Sequence, residues 1–543
     1  MLNEFDALPS ENDPKSWIDW TTRQQTKASD PKGSAWVSAN AGSGKTHVLT
    51  QRVIRLLLNG CRPSAILCLT YTKAAASEMS SRVFNRLAEW ATLTDDELRK
   101  RIADIEGKVP DLFKLQEARR LFAKALETPG GLKIQTIHAF CEALLHQFPL
   151  EANVAGHFSV LDDREANVLL AEARRSLLTA VSSEEDPALT EAFTFVLDVA
   201  DDTGLETLLE AIVSNRRTLM KFIQEINEKG LEQKSYLKQL AGIDPSLTTE
   251  SVKASIWPLR GLNGLALDTY LTLADEVGGK RVKDVSYLLR QARAETDAQT
   301  RIDLVKSALL KADGREAKSD AYVIDKAVTK AAPELLDALI EARAHLVERI
   351  NSIATLEMID ATSSALTLAR RLIQDFEELK KQRSKLDFDD LIERTAVLLT
   401  QDTAGAWVHY KLDQGIDHIL VDEAQDTSPL QWSIIQSLAS DFFDGQSAKT
   451  GTRTIFAVGD EKQSIYSFQG ARPERFSQER EETKKRVLKV AQDFYPIRLP
   501  LSFRSTDDVL AAVDQVFADP ENAEGLSADK EPVEHRSNRI GHP

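Results

Sequence analysis

The segment "SANAGSGKTHVL", residues 38 to 49, limits the folds open to this chain more than any other stretch. A short apolar run, "AWVSA" (35–39), precedes it, and "KTHVLTQRVIRLLL" follows with apolar positions at helical spacing. In a strand–loop–helix unit of this kind, Gly42 and Gly44 let successive backbone N–H groups converge on one point. The positive end of the helix dipole adds to them, so an anion is favoured there. The spacing of Ala39, four residues, then Gly44, Lys45 and Thr46 matches a phosphate loop, with alanine in place of the usual first glycine. Lys45 would reach the β and γ phosphates, and the Thr46 hydroxyl would bind Mg²⁺, a hard cation that prefers oxygen. The expected nucleotide-binding segment is therefore Ala39, Asn40, Ala41, Gly42, Ser43, Gly44, Lys45, Thr46 and His47. The plainer alternative is a glycine-rich turn with a solvated lysine.

A second unit repeats the order, with "AILCLTY" (65–71) as a buried strand and "KAAASEMSSRVFNRLAEW" (73–90) as an alanine-rich helix. A third strand, "LKIQTI", leads into "HAFCEALLHQF", and strand patterns return at "HILVDE" (418–423), "RTIFAVGD" (453–460) and "IRLPLSF" (497–503). Strands alternating with helices predict an α/β fold around a parallel sheet. Between the two groups of strands, helical patterns such as "DREANVLLAEARRSLLTAV" predict a large helical insertion over residues 156–385. Its basic cluster "KKQRSK" (380–385) is a candidate duplex-DNA contact, with a solvated helix end as the plainer reading. Residues 1–155 and 386–517 then form the two parts of one sheet domain. The polar, turn-rich stretch 518–543 predicts a linker with neither helix nor strand.

A metal ion at Thr46 wants a carboxylate at the end of a neighbouring strand, and "HILVDEAQD" puts Asp422 and Glu423 directly after an apolar run. Asp422 would hold the metal, and Glu423 would orient and deprotonate the attacking water.

The formal charge of −16, from 84 acidic against 68 basic residues, leaves any nucleic-acid contact to local grooves. Three cysteines, Cys61, Cys68 and Cys141, none in a CxxC arrangement, exclude a disulfide scaffold. With no apolar run long enough for a bilayer and an acidic, polar start, the expectation is a cytoplasmic protein with no membrane partner.

Taken in order, "TTRQQTKA", "SANAGSGKT", "LTYTKAAASEM", "TIHAFCEALL", "VDEAQDTSPLQ", "VGDEKQSIYSFQGA" and "LSFRST" make the chain resemble the UvrD/Rep group of superfamily 1 DNA helicases. The "TIHAFC" and "SIYSFQGA" forms and the helical insertion are most similar to the AddA type, helicase-nuclease subunits of bacterial double-strand break repair. The resemblance implies a RecA-like P-loop NTPase sheet, ATP and Mg²⁺ as cofactors, 3′ to 5′ movement on single-stranded and duplex-end DNA, and an AddB-type partner subunit.

It also implies residue roles. Gln25 would read the adenine edge, Phe503 would stack on the base, Arg504 would contact the γ phosphate and Gln463 would sense it. Thr70, Tyr71, Thr136, His138, Phe140, Tyr466 and Phe468 would line the DNA groove, with Phe468 replacing a tryptophan of UvrD-like members. His47 stands where members often carry arginine, which puts that base contact in question. The family's second RecA-like domain, with its arginine finger, and the AddA nuclease domain have no counterpart here, so slow hydrolysis is expected of the segment alone. The alternatives are a RecB-like or UvrD-like repair helicase, an ATP-binding DNA clamp without productive turnover and, last, a small-molecule kinase.

Overall fold

The computed structural model describes residues 9, 14–183, 186–401, 404–413, 415–443, 451–467, 470–519, 521–523, 526 and 535–539. The chain divides into two units, one of Met1–Asp162 with Ser384–Pro543 and the other of Asp163–Arg383.

The first unit is built on six parallel strands. They are β1 (Ser34–Ala39), β2 (Ile66–Thr70), β3 (Lys133–Thr136), β6 (His418–Val421), β7 (Thr454–Gly459) and β8 (Phe494–Leu499), in the order β3-β2-β6-β7-β1-β8. Two small parallel pairs make up the remaining described strands. The pair β4 (Ser159–Val160) and β5 (Lys385–Leu386) is one, and β9 (Leu501–Thr506) with β10 (Arg536–Arg539) is the other.

The central strands are apolar in almost every position because both faces are covered. Trp36 points to one face, into a core with Leu67, Leu69, Ile419, Val421 and Ile455. Ala35 and Val37 point to the other, with Ile66, Cys68, Leu420, Phe456 and Val458. On the first face Trp36 stacks on Trp432 at 5.5 Å and meets Phe476 at 5.1 Å between ring centroids. On the second lie the helices α1 (Pro14–Ala28), α2 (Lys45–Leu58), α3 (Lys73–Thr92), α4 (Asp95–Glu106) and α5 (Leu112–Glu127), all of which place residues in that core. Helix α6 (Ile137–Gln147) packs on the Trp36 face.

Arg52 ties this unit together from inside. Its guanidinium is fully buried and donates to the carbonyls of Ala28 (2.9 Å), Asp30 (2.8 Å) and Gly33 (2.6 Å) and to Thr454 Oγ1 (3.0 Å). His418 Nδ1 shares that Thr454 hydroxyl at 2.8 Å, and burial with the nearby Arg52 charge lowers its pKa to about 4.

Two expectations change. The run "IRLPLSF" is two strands and not one, because Pro500 lacks the N–H that would continue the ladder. β8 joins the large sheet and β9 leaves it to pair with β10. Pro496, within β8, is tolerated because β8 is the edge strand. The stretch beyond 518 reads as a linker without strands, yet Arg536–Arg539 pairs with β9, since Leu501–Thr506 offers an unpaired edge once it has left the sheet.

Among its described residues the second unit is helical, apart from one isolated antiparallel bridge between Leu310 and Ala317. Its longest element, Glu334–Gln382, runs 49 residues and packs against Asp163–Ser182 and Pro187–Ser214. Its core includes Tyr270, Leu289, Val305, Leu339 and Leu346. Within the "KKQRSK" cluster, Lys380 is buried and paired with Glu377 at 2.7 Å, and Arg383 pairs with Glu172. These two charges are committed to the fold of the helical unit.

Candidate nucleotide and DNA site

Sheet order decides which loops meet. In the sequence β6-β7-β1, the loops leaving the carboxyl ends of three adjacent strands are the paired-acid loop, the Asp460–Gln463 loop and the glycine-rich loop. Between β1 and α2 the chain turns through Gly42 (φ 72°) and Gly44 (φ 90°), both in the left-handed region. A Cβ on Gly42 would stand 2.6 Å from Arg504 Cβ and 2.8 Å from Ser502 Oγ, so only glycine fits there. The loop is braced from within, where Ser43 Oγ donates to the Asn40 carbonyl at 2.7 Å. It is also braced from outside, where Gln25 Nε2 donates to the Ser43 carbonyl at 3.1 Å and the Phe503 N–H donates to the Gly42 carbonyl at 2.9 Å.

At the floor of the cradle, Lys45 Nζ lies 3.1 Å from Glu423 Oε2, a contact across 378 residues of sequence. Glu423 is a non-glycine residue at φ 47°, a conformation that points its side chain back to the loop lysine. Its carboxylate also accepts from Gln425 Nε2 at 3.0 Å. Asp422 is buried, and its carboxyl is pushed up to about 6 by desolvation and by the neighbouring Glu423 charge. Its Oδ1 accepts the Glu423 N–H at 3.1 Å.

Thr46 is half-buried on the first turn of α2. A buried carboxylate held above its ordinary pKa beside a second carboxylate, with a hydroxyl on the facing helix, is an all-oxygen set that suits a hard divalent cation. Among the described residues there is no group of three or more His, Cys, Asp or Glu side chains arranged for a metal, so any ion here would need phosphate or water ligands as well.

Gln463 Nε2 donates to the Asp460 carboxylate, and the Asp460 N–H donates to Gln425 Oε1 at 3.0 Å. Phe503 and Arg504 lie on β9 with exposed side chains. His47 keeps much of its surface exposed, yet the protein atoms around its ring, with the Arg86 and Arg82 charges, lower its pKa. The loop residues Ala39 to Thr46, with Gln25, Asp422, Glu423, Phe503 and Arg504, are thus brought together.

The residues expected to line the DNA groove divide into two groups. Tyr71 and Tyr466, from the ends of β2 and of the loop after β7, hold ring centroids 4.2 Å apart. Burial, Tyr466 and Asp426 push the Tyr71 hydroxyl up to about 12. His138 is half-buried and meets the exposed ring of Phe388 edge-on at 5.4 Å.

Three others are not offered to a groove. Phe140 is 5% exposed in the core, because helical spacing turns its ring inward with Leu144. The Thr70 hydroxyl donates to the Thr72 carbonyl, and the Thr136 hydroxyl caps α6 by accepting from the Ala139 N–H. These corrections leave Tyr71, His138 and Tyr466 as the accessible members; Phe468 lies outside the described residues.

Sequence reasoning passed over Gln425, Lys462 and Phe388. A glutamine between paired acids and an apolar helix start was a legible signal for the first. The other two read as an ordinary charge and an ordinary core ring.

Residues 20–484 match the UvrD/REP helicase N-terminal domain family. The chain belongs to this family. Among similar proteins is the A subunit of the ATP-dependent helicase/nuclease of Lactobacillus helveticus (strain DPC 4571), 26% identical over 526 residues, covering 91% of this chain and 40% of that protein. The A subunits of the same name from Latilactobacillus sakei subsp. sakei (strain 23K) and Enterococcus faecalis (strain ATCC 700802 / V583) are each 27% identical, covering 90% and 92% of this chain and 54% and 38% of the relative. The chain therefore spans about 40% of the length of most of these relatives. As a UvrD/REP family member it has the RecA-type parallel sheet of such helicases, with its glycine-rich loop and paired acids at the ends of β1 and β6, on either side of β7. No described helix is long and apolar enough to cross a membrane.

Proposed function

We propose that this chain is the ATP-binding part of an AddA-type, 3′ to 5′ DNA helicase that acts with an AddB-type partner on broken DNA ends in the cytoplasm. The observation that carries the reading is the Lys45–Glu423 pair. It sets the phosphate-loop lysine against the water-activating acid, with both facing the cradle made by Gly42 and Gly44. Thr46 and Asp422 would hold a magnesium ion, whose charge when bound offsets that of the β and γ phosphate oxygens.

The chain's own residues do the rest. A triphosphate entering the cradle offers Lys45 a stronger partner than Glu423, so the lysine turns to phosphate and the carboxylate is freed to orient a water and take its proton. Gln425 keeps Glu423 in place during the exchange. Gln463 contacts the γ phosphate in place of Asp460, Arg504 approaches from β9, and Gln25 and Phe503 take the adenine edge and face. His47 does not supply the charged contact that arginine gives other members. On the DNA side, Tyr71, His138 and Tyr466, with Phe468, offer stacking faces that ignore base identity. Residues 1–155 and 386–517 act as one motor domain, with 156–385 as an insertion within it.

The test is linkage. The protein should bind a non-hydrolysable ATP analogue, and that analogue should change its affinity for a short single-stranded oligonucleotide by the same factor as the oligonucleotide changes the analogue's. Lys45→Ala should abolish both effects. Nucleotide binding that survives Lys45→Ala would refute the reading, and DNA affinity indifferent to nucleotide would return the kinase alternative; an ATPase rate that single-stranded DNA does not raise, with the linkage intact, would return the clamp.

A further inference from the structure

We infer that Lys462 is a second phosphate-binding cation of the proposed nucleotide site, one that distinguishes nucleoside triphosphate from diphosphate. The inference rests on that site being a nucleotide site and adds to it a residue outside the glycine-rich loop.

Lys462 sits beside Gln463 in the Asp460–Gln463 turn, and because β7 neighbours β1, this turn leans over the glycine-rich loop. The Lys462 ammonium donates to Asn40 Oδ1 at 3.3 Å, and the Asn40 amide on its other side donates to the Pro500 carbonyl at 3.5 Å. That pairing fixes which end of the Asn40 side chain faces the lysine, since a carbonyl accepts only from the NH₂ end. Asn40 is itself built into the loop, where its N–H donates to the Leu499 carbonyl at 3.0 Å and its own carbonyl accepts from Ser43. The ammonium is thus held at the rim of an anion cradle by a neutral acceptor.

Its pairing contrasts with that of Lys45. The Lys45 charge is offset by Glu423 at 3.1 Å, whereas among the described residues no carboxylate forms an ion pair with Lys462. A half-buried ammonium with one neutral partner gains when a phosphate oxygen replaces an amide oxygen, because the negative charge of the phosphate adds a Coulombic attraction that the neutral amide lacks. The backbone fixes where the turn sits. The Lys462 N–H donates to Asp460 Oδ1 at 3.3 Å, the Gln463 N–H donates to the Asp460 carbonyl at 3.0 Å, and Glu461 accepts from the Ser477 hydroxyl. Lys462 therefore approaches from the side of the terminal phosphate sensor, Gln463, while Lys45 rises from the helix beneath. A diphosphate satisfies Lys45 and leaves Lys462 on Asn40; the third phosphate draws it off.

The experiment compares two ligands on the full 543-residue chain by titration calorimetry with Mg²⁺, using ADP and the non-hydrolysable triphosphate AMP-PNP. Lys462→Met should weaken AMP-PNP about tenfold and ADP less than about twofold, and Lys462→Arg should retain most of the triphosphate affinity. Should the methionine variant not fold, Lys462→Gln, which keeps a donor for Asn40, carries the same comparison. Equal losses for both nucleotides would make Lys462 a prop for Asn40 and overturn the inference, as would no loss for either. A wild-type protein that binds neither nucleotide would overturn the site itself, which separates the two failures.

Discussion

Asp422 is a carboxylate held where a carboxylate is costly. It is 8% exposed, it adjoins Glu423, and its pKa stands at about 6 against an ordinary 3.8 even with Lys45 nearby. A tenfold change in proton affinity corresponds to about 1.4 kcal/mol, so keeping Asp422 ionised in the folded protein at neutral pH costs about 3 kcal/mol relative to the unfolded chain. Asparagine removes that cost and keeps an oxygen to accept the Glu423 N–H. Asp422→Asn is therefore expected to stabilise the nucleotide-free protein by about 1–3 kcal/mol at pH 7, while weakening any Mg²⁺-dependent gain in nucleotide affinity.

The sign of the pH dependence sharpens the test. A carboxyl whose folded pKa is raised binds its proton more readily in the folded state, so the wild-type protein recovers the lost stability as pH falls from about 6 to 3.8. The advantage of the asparagine variant should shrink over the same interval and vanish near pH 4. His418 works in the opposite direction. Its folded pKa of about 4 lies below the ordinary 6.5, so it removes stability as pH falls between those values, in both proteins alike. Denaturant unfolding followed by tryptophan fluorescence is the assay, since Trp257 is the sole tryptophan of the helical unit and the other six belong to the sheet-bearing one. A variant no more stable than wild type at pH 7, or an advantage that persists unchanged at pH 4, would refute the reasoning.

Other substitutions test separate parts of the site. Gly42→Ala should abolish nucleotide binding with little loss of helical content, since the new methyl meets Arg504 Cβ at 2.6 Å and sits at φ 72°; equilibrium dialysis with labelled ATP reads this. Arg52→Met should cost about 3–5 kcal/mol of stability in the same unfolding assay, because it strands the buried carbonyls of Ala28 and Gly33 and the part-buried one of Asp30. Tyr466→Ala should weaken a fluorescent oligothymidine by about 5- to 100-fold in anisotropy titrations, the value of one stacked base, with AMP-PNP affinity in the absence of DNA unchanged. Phe140→Ala should instead lower stability by about 3–5 kcal/mol through the cavity it leaves, with DNA affinity of the folded fraction intact.

The sheet was legible because strands buried on both faces read as apolar runs, and the glycine-rich loop because its glycines are dictated by backbone geometry. Pro500 was equally visible, but its effect, sending β9 out of the sheet to meet β10, depends on a partner some 30 residues away. The aromatic residues were the least legible. Phe140 and His138 lie two positions apart at one helix start, where a rotation of 200° separates core from surface, and sequence alone does not fix the phase. Lys462 resembled any charge in "GDEKQS" until the β7–β1 adjacency set it over Asn40.

The β6–β7 adjacency bears on how the proposed nucleotide and DNA sites are joined. Lys45 contacts Glu423, and Gln425 Nε2 contacts both Glu423 and Asp426. The other end of the same amide accepts from the Asp460 N–H, and Asp460 in turn holds Gln463. Three residues further on, Tyr466 packs against Tyr71. Gln425 is 2% exposed, and Gly459 lacks a side chain where a Cβ would come within 2.5 Å of Gln425 Oε1, so this amide has no room to shift independently of the two loops it joins. Contiguity alone transmits nothing; a ligand must favour one arrangement over another. The Lys45–Glu423 pair supplies that difference, because it is compatible with an empty cradle and incompatible with a lysine engaged on phosphate. Whatever displaces Glu423 must therefore be accommodated through Gln425 by the loop that carries Tyr466.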